Sequence, residues 1–260
     1  MAFKRRKYRL RNSIEVMECH TARYGAPGQP RAEKQQLTPE AVRKNNQRNK
    51  ERKCSRMVDK YFNEDDYVLT LTYRKEDRPA NMEECADHLR KFFRKLKREY
   101  KKRFYELFWI RNIEVGTRGA WHVHVVMNRI EGADFMIKDL WREHGGVFFQ
   151  FYKDMKDQGK DIGKYIAKTE VSAPDKVAES SWSHSRNVQP VEPEETVITG
   201  QSMNDKPRTP AGYYLDEASY KDYVNDEGFR FREYVFRKLK PTRIDHRIRK
   251  EQRKRKKVRR

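Results

Sequence analysis

Phe108-Trp109-Ile110-Arg111-Asn112-Ile113-Glu114-Val115, followed after a short break by Trp121-His122-Val123-His124-Val125-Val126-Met127, is the stretch on which the fold of this chain turns. Both segments are rich in β-branched and aromatic residues. Gly116-Thr117-Arg118-Gly119 between them is turn chemistry, so the two read as the arms of an antiparallel hairpin. Side chains alternate between faces along a strand, so His122 and His124 point the same way. With residues 116–120 as the connection, Glu114 stands opposite His122, and one carboxylate and two imidazoles share a face. Two nitrogens and one oxygen on a rigid sheet make a three-ligand site for a divalent metal with positions left open, the arrangement of a catalytic ion. A connection one residue shorter would put Glu114 on the other face. A His-x-His pair on a strand also serves as two partly buried packing residues.

Outward from the hairpin, Tyr67-Val68-Leu69-Thr70-Leu71-Thr72-Tyr73 is the clearest strand, with period-two alternation. Residues 82–104 place Met82, Cys85, Ala86, Leu89, Phe92, Phe93, Leu96, Tyr100 and Phe104 at helical spacing, and Asn81 with Glu84 resembles a capping box. A short helix is expected over 133–144 with Phe135, Leu140 and Trp141 inward, then a strand at Val147–Tyr152 and a helix at Lys160–Lys168. The order is β-α-β-β-α-β with one further helix. That is an α+β fold of ferredoxin-like order, an antiparallel sheet covered by helices.

The flanks are more basic. Thr38-Pro39-Glu40 opens a helix running to about Tyr61, with Thr as N-cap and Pro at its first position. Its sparse apolar positions predict a surface helix lying on DNA. The expected organisation is a basic extension over 1–62 and a catalytic domain over 63–171. A Ser/Pro/Glu-rich linker over 172–210, a small helical appendix over 211–242 and a disordered basic tail over 243–260 complete it.

A formal net charge of +21, spread along the whole chain, implies a polyanionic partner, most simply nucleic acid. Cys19, Cys54 and Cys85 form no paired motif, which fits a reducing compartment rather than a disulfide scaffold or a zinc ribbon. No apolar run approaches the roughly 18 residues that span a membrane, and no apolar segment follows the basic N-terminus, so a cytoplasmic protein is expected. No phosphate-cradling Gly-rich loop with its Lys and Ser/Thr is present, so no NTP-driven motor is expected.

On the helix expected at 160–168, Tyr165 has Asp161 four residues before it and Lys168 three after it, near one face. A tyrosine hydroxyl is a poor nucleophile at its free pKa of about 10. A divalent metal that neutralises charge on the phosphoryl oxygens makes attack on a phosphodiester feasible, and a phosphotyrosine link conserves the bond for resealing. Lys168 would hold the phosphate or help deprotonate Tyr165. The alternative is that Tyr165 merely packs its ring on the sheet.

At these residues the chain resembles the HUH endonucleases, and most of all the rolling-circle replication initiators of bacterial plasmids and phages. Val68-Leu69-Thr70-Leu71-Thr72 matches the first motif and His122-Val123-His124 the second. Glu114 stands where related initiators place a third ligand, and Gly163-Lys164-Tyr165-Ile166-Ala167-Lys168 is similar to the third motif. The resemblance covers residues 67–168. It implies an endonuclease and strand transferase that binds single-stranded DNA or a hairpin at an origin and nicks one strand with Tyr165, assisted by Lys168. It would stay linked to the 5′ phosphate and leave a 3′ hydroxyl for a polymerase, and host helicase and polymerase would be its partners in a bacterial cytoplasm. The implied cofactor is Mg²⁺ or Mn²⁺ on Glu114, His122 and His124. Lys164, Arg118 and the tail residues Arg253, Lys254, Arg255, Lys256 and Lys257 are the expected DNA contacts. Lys168 and Thr169 stand where some relatives carry a second tyrosine, so a single-tyrosine enzyme is implied. A relaxase or a single-tyrosine transposase shares this chemistry. A non-catalytic replication accessory factor or repressor is the alternative from another class.

Overall fold

The hairpin forms with the longer connection: Glu114 pairs with His122 and Asn112 with His124 in adjacent antiparallel strands. The computed structural model describes residues 3–20, 38–158, 161–169, 171, 176–199, 203–224 and 229–248, without the side chains of 156 and 157. In chain order the elements are β1 (Phe3–Arg9), β2 (Ser13–Cys19), α1 (Pro39–Tyr61), β3 (Tyr67–Thr72), α2 (Met82–Lys102), β4 (Trp109–Gly116), β5 (Trp121–Met127) and α3 (Ala133–Trp141). They continue as β6 (Val147–Phe151), α4 (Tyr152–Asp157), α5 (Ile162–Ile166), β7 (Val177–His184), β8 (Glu194–Ile198), β9 (Tyr213–Val224) and β10 (Arg230–Lys238). The chain divides into two units, one of residues 1–39 with 190–242, the other of residues 40–189 with 243–260. The fold is α+β, with one five-stranded antiparallel sheet in each unit.

In the unit of residues 40–189 the strand order is β6-β3-β5-β4-β7, and β3-α2-β4-β5-α3-β6 is the expected β-α-β-β-α-β run. One sheet face, with Leu69, Leu71, Ile113, Val123 and Val125, packs under α2 and α3 through Leu89, Phe92, Phe93, Leu96, Ile137 and Trp141. The other face, with Val68, Ile110 and Val126, packs against Cys54, Met57 and Val58 of α1, Tyr152 and Met155 of α4, and Ile162 and Ile166 of α5. A sheet covered on both faces explains why its central strands are so apolar. Asn81 accepts from Glu84 N at 3.0 Å at the start of α2, the expected N-cap.

Several expectations are corrected here. Helix α1 is not an exposed arm of a separate extension. Its few apolar residues cluster in its C-terminal half and complete a core, so the boundary expected at residue 62 falls inside this unit. On α3 the inward residues are Ala133, Ile137 and Trp141, at spacings of four, while Phe135 is 75% exposed on the opposite side. Phe104 lies beyond α2 with φ 63° and an exposed ring.

Residues 172–210 hold strands β7 and β8, not a plain linker, and 211–242 hold β9 and β10, not helices. The tail does not begin at residue 243. Arg243 pairs with Asp65 at 2.6 Å, Ile244 N donates to Asn63 Oδ1 at 2.9 Å, and Ile248 N donates to Phe104 O at 2.7 Å. Residues 249–260, with Arg253, Lys254, Arg255, Lys256 and Lys257, lie outside the described residues. No helix among the described residues is long and apolar enough to cross a membrane.

The other unit has the order β8-β1-β2-β10-β9 over a small core of Ile14, Val16, Tyr234 and Phe236. Beneath it lies a charged cluster. Glu18, wholly buried, accepts from Arg5 Nε at 2.6 Å, Arg232 Nε at 2.6 Å and Tyr234 OH at 3.0 Å. Removing one member of a buried ion pair strands the other charge, at a cost of about 3–5 kcal/mol. Glu18→Ala is therefore expected to lower the stability of this unit by about that much in urea titration. A loss within about 0.5 kcal/mol would place the charge on the surface.

Candidate active site

The register of the central strands builds the site. Thr70 of β3, His124 of β5 and Asn112 of β4 lie side by side, and Thr72, His122 and Glu114 form the next row. Period-two alternation turns all six onto the face packed by α5.

Helix α5 is only five residues long, too short to be stable by itself, and its surroundings fix it. Asp161 caps it, accepting from Gly163 N at 2.9 Å and Lys164 N at 3.2 Å. Gly163 lies so close to α1 that a Cβ there would sit 2.0 Å from Ser55 Oγ and 2.4 Å from Glu51 O. At the far end, Gln47 Nε2 donates to Ala167 O at 2.8 Å and Asn112 Nδ2 to Lys168 O at 2.7 Å.

So held, α5 completes a continuous polar chain. Tyr165 OH is 3.2 Å from Thr70 Oγ1, which is 3.2 Å from His124 Nδ1. His124 Nε2 is 3.2 Å from Glu114 Oε2, and Lys168 Nζ reaches the two oxygens of Glu114 at 3.0 and 3.2 Å. The Tyr165 ring meets that of His124 edge to face, with centroids 4.9 Å apart. Glu114 and His124 are 5% and 8% exposed. Burial by itself would raise the Glu114 carboxyl, but hydrogen bonds from His124 and Lys168 and their charges outweigh it and hold the group down at about 2. Burial, then the neighbouring His124, pushes the His122 imidazole below its ordinary value, so the ring is neutral near pH 7.

Tyr165, Lys168, Glu114 and His124 are thus brought together. His122 shares their face, its ring centroid 6.4 Å from that of His124. Lys168 sits on the carboxylate. Lys164 is exposed on α5, and Arg118 is exposed in the turn before β5. Asp161 serves as the helix cap and accepts from Ser55 Oγ at 3.2 Å. The sequence marks Thr70 and Gly163 only as motif positions and gives Asn112 and Gln47 no role. Alternation along β3 and β4 would have put Thr70 and Asn112 on this face, but nothing local marks Gln47.

By type, one carboxylate and two imidazoles suit a divalent transition ion such as Mn²⁺ better than Mg²⁺, which prefers oxygen ligands. The 3.2 Å between Glu114 Oε2 and His124 Nε2 is near the ~3 Å between neighbouring ligands of an octahedral ion bound at ~2.1 Å. Among the described residues, however, no three His, Cys, Asp or Glu side chains converge on one point. The fit is a pair at ligand spacing, with His122 standing off as the third donor.

Residues 66–170 match the replication-associated protein ORF2 family. No curated protein and no solved structure matches the chain. The family match begins at the foot of β3 and ends just after α5, so it contains every member of the Tyr165-to-Lys168 chain. It leaves out α1 and the whole of the other unit.

Two outcomes follow. Gly163→Ala is expected to push α5 off α1 and to destabilise this unit by about 1–3 kcal/mol, as overpacking does; a melting temperature equal to wild type would contradict the close approach. The Glu114 carboxyl lies lower in the folded than in the unfolded chain, where it titrates near ~4.3. Its pairing therefore stabilises fully above that range and is lost as pH falls toward 2. In chelator, the urea midpoint of wild type should fall more steeply between about pH 5 and 3 than that of Glu114→Gln. Parallel curves would remove the pair from the pH response.

Proposed function

We propose that this chain is a replication initiator that nicks one DNA strand at a rolling-circle origin, with Tyr165 as nucleophile and a divalent ion as cofactor. The observation that carries the reading is the unbroken contact chain from Tyr165 OH through Thr70 and His124 to Glu114 and Lys168, inside the segment that matches a replication-associated family. A non-catalytic DNA-binding protein has no need of a half-buried tyrosine hydroxyl linked through Thr70 to His124 and on to Glu114.

In this reading Thr70 fixes the Tyr165 oxygen over the sheet, and Gly163, Asn112 and Gln47 hold the helix that presents it. Tyr165 Oη attacks the scissile phosphorus. The new O–P bond forms as the P–O3′ bond breaks; the phenolic proton is lost to solvent, and the 3′ oxygen takes a proton from solvent and leaves as a hydroxyl. The protein stays on the 5′ phosphate. Rejoining runs the exchange backwards, a 3′ hydroxyl displacing Tyr165. Glu114, His122 and His124 would hold Mg²⁺ or Mn²⁺, which supplies neutralisation of the charge growing on the phosphoryl oxygens. Lys168 keeps the Glu114 carboxylate ionised and so ready as a ligand. Lys164 and Arg118, both exposed, would steer the strand, and a polymerase would extend the free 3′ end.

Purified protein incubated with labelled single-stranded DNA carrying origin hairpins, in Mn²⁺ or in EDTA, tests this on a denaturing gel. Wild type should give a metal-dependent nick with protein on the 5′ end, and Tyr165→Phe should give none. Thr70→Val should retain the link but form it about tenfold more slowly, the scale of one lost positioning hydrogen bond (~1.4 kcal/mol). Binding without cleavage in any metal, across the candidate origins, would refute the nuclease reading and leave a DNA-binding accessory protein.

A further inference from the structure

The sheet face turned away from Tyr165 carries a groove of about 640 Å³ between α2 and the strands β4 and β7. Its helix wall presents Arg90, Arg94, Lys97 and Lys101, at spacings of four, three and four, so they stack on one side of α2 over ~16 Å. Arg186 faces them after β7, and Glu106 is the one acid among the lining residues. Arg90 is paired with Asp87. Among the described residues no carboxylate pairs with Arg94, Lys97, Lys101 or Arg186.

At the floor lies Arg111, only 9% exposed, its Nη1 donating to Ser181 O at a long 3.4 Å. No described carboxylate pairs with it either. Among the described residues the other buried guanidinium is handled quite differently: Arg232, 2% exposed, is neutralised by Glu18. A buried cation without a counter-ion is costly unless a ligand brings one. Trp109 also lines the groove, stacked on Phe93 with centroids 4.2 Å apart and planes 9° off parallel, an aromatic surface of the kind on which bases stack.

We infer that this groove binds the backbone of one nucleic-acid strand, with Arg111 as the buried phosphate contact and Arg94, Lys97 and Lys101 as its track. From Arg94 to Lys101 the track runs ~10 Å along the helix. A duplex would ride over the rim without reaching Arg111. Ile248, in the docked C-terminal segment, lines the same groove. The inference rests on the nucleic-acid part of the proposed function and not on the nicking chemistry. It gives the strand a second holding point on the face opposite the nucleophile.

Fluorescence anisotropy of labelled oligothymidylate against full-length protein carrying Tyr165→Phe, over a salt series, tests it. Adding the exposed substitutions Arg94→Ala, Lys97→Ala and Lys101→Ala together should weaken binding at least tenfold. It should also make the slope of log K against log salt shallower by about 2, at ~0.7 for each phosphate contact on a single strand. Arg111→Gln should weaken binding further. The triple variant carries the test if Arg111→Gln fails to fold. Unchanged affinity and slope in the triple variant would overturn the inference, as would an equal loss for duplex DNA or polyglutamate competing as well as the oligonucleotide. Nicking measured with Tyr165 intact separates the two readings. A nicking protein whose triple variant binds like wild type loses only the groove, and a protein that never nicks but shows the groove effect loses only the nuclease.

Discussion

The contact between Lys168 Nζ and the Glu114 carboxylate, at 3.0 and 3.2 Å, ties the segment just after a five-residue helix to the middle of a sheet across 54 residues of sequence. Burial alone would raise the Glu114 carboxyl; hydrogen bonds from His124, and next from Lys168, with their charges, outweigh it and keep the group ionised. The carboxylate faces His124, and His124 in turn faces Thr70 and Tyr165. The neutral contacts around α5 all serve to keep that geometry: the Asp161 cap, the hydrogen bonds to Ala167 O and Lys168 O, and the close passage of Gly163 beneath α1.

The same sheet has two chemically different faces because side chains alternate. Asn112 and Glu114 turn toward α5, while Arg111 and Ile113 turn toward α2. A strand buried on both sides spends nearly all its positions on packing, so the polar residues it keeps stand out. On β4 they are Asn112 and Glu114 on one side and Arg111 on the other. The second unit handles charge differently. Its lone buried glutamate is saturated by two arginines and a tyrosine, which reads as structure and not as a site.

Much of the α+β core was legible because its signals are local. Helix α2 carries an apolar stripe and a cap, and β3 and β5 carry β-branched alternation. The second unit was not legible. In β1, Phe-Lys-Arg-Arg-Lys-Tyr-Arg, the pairing is secured by cross-strand ion pairs, Arg6 with Glu195 at 2.6 Å and Arg9 with Glu194 at 2.6 Å, so a strand and its partner each looked like charged irregular chain. In β10 the inward positions are Arg232, Tyr234 and Phe236, and the arginine breaks the apolar alternation that would have announced a strand. Helix α1 misled in the opposite direction, since its long basic half outweighed the few residues that enter the core.

Sequence alone determined that His122 and His124 share a face, because a period of two is a property of the local backbone; the hairpin register observed in the structure decided that Glu114 joins them. It also placed Tyr165 on a short helix, but the helix ends at Ile166, so Lys168, expected on it, lies two residues past its end. Only the tertiary structure decided that Thr70 stands between Tyr165 and His124, that Lys168 rests on Glu114, and that His122 stands apart from His124. Which side chain a charge or hydroxyl meets 54 or 95 residues away depends on how the elements pack and on what burial costs each unpaired group.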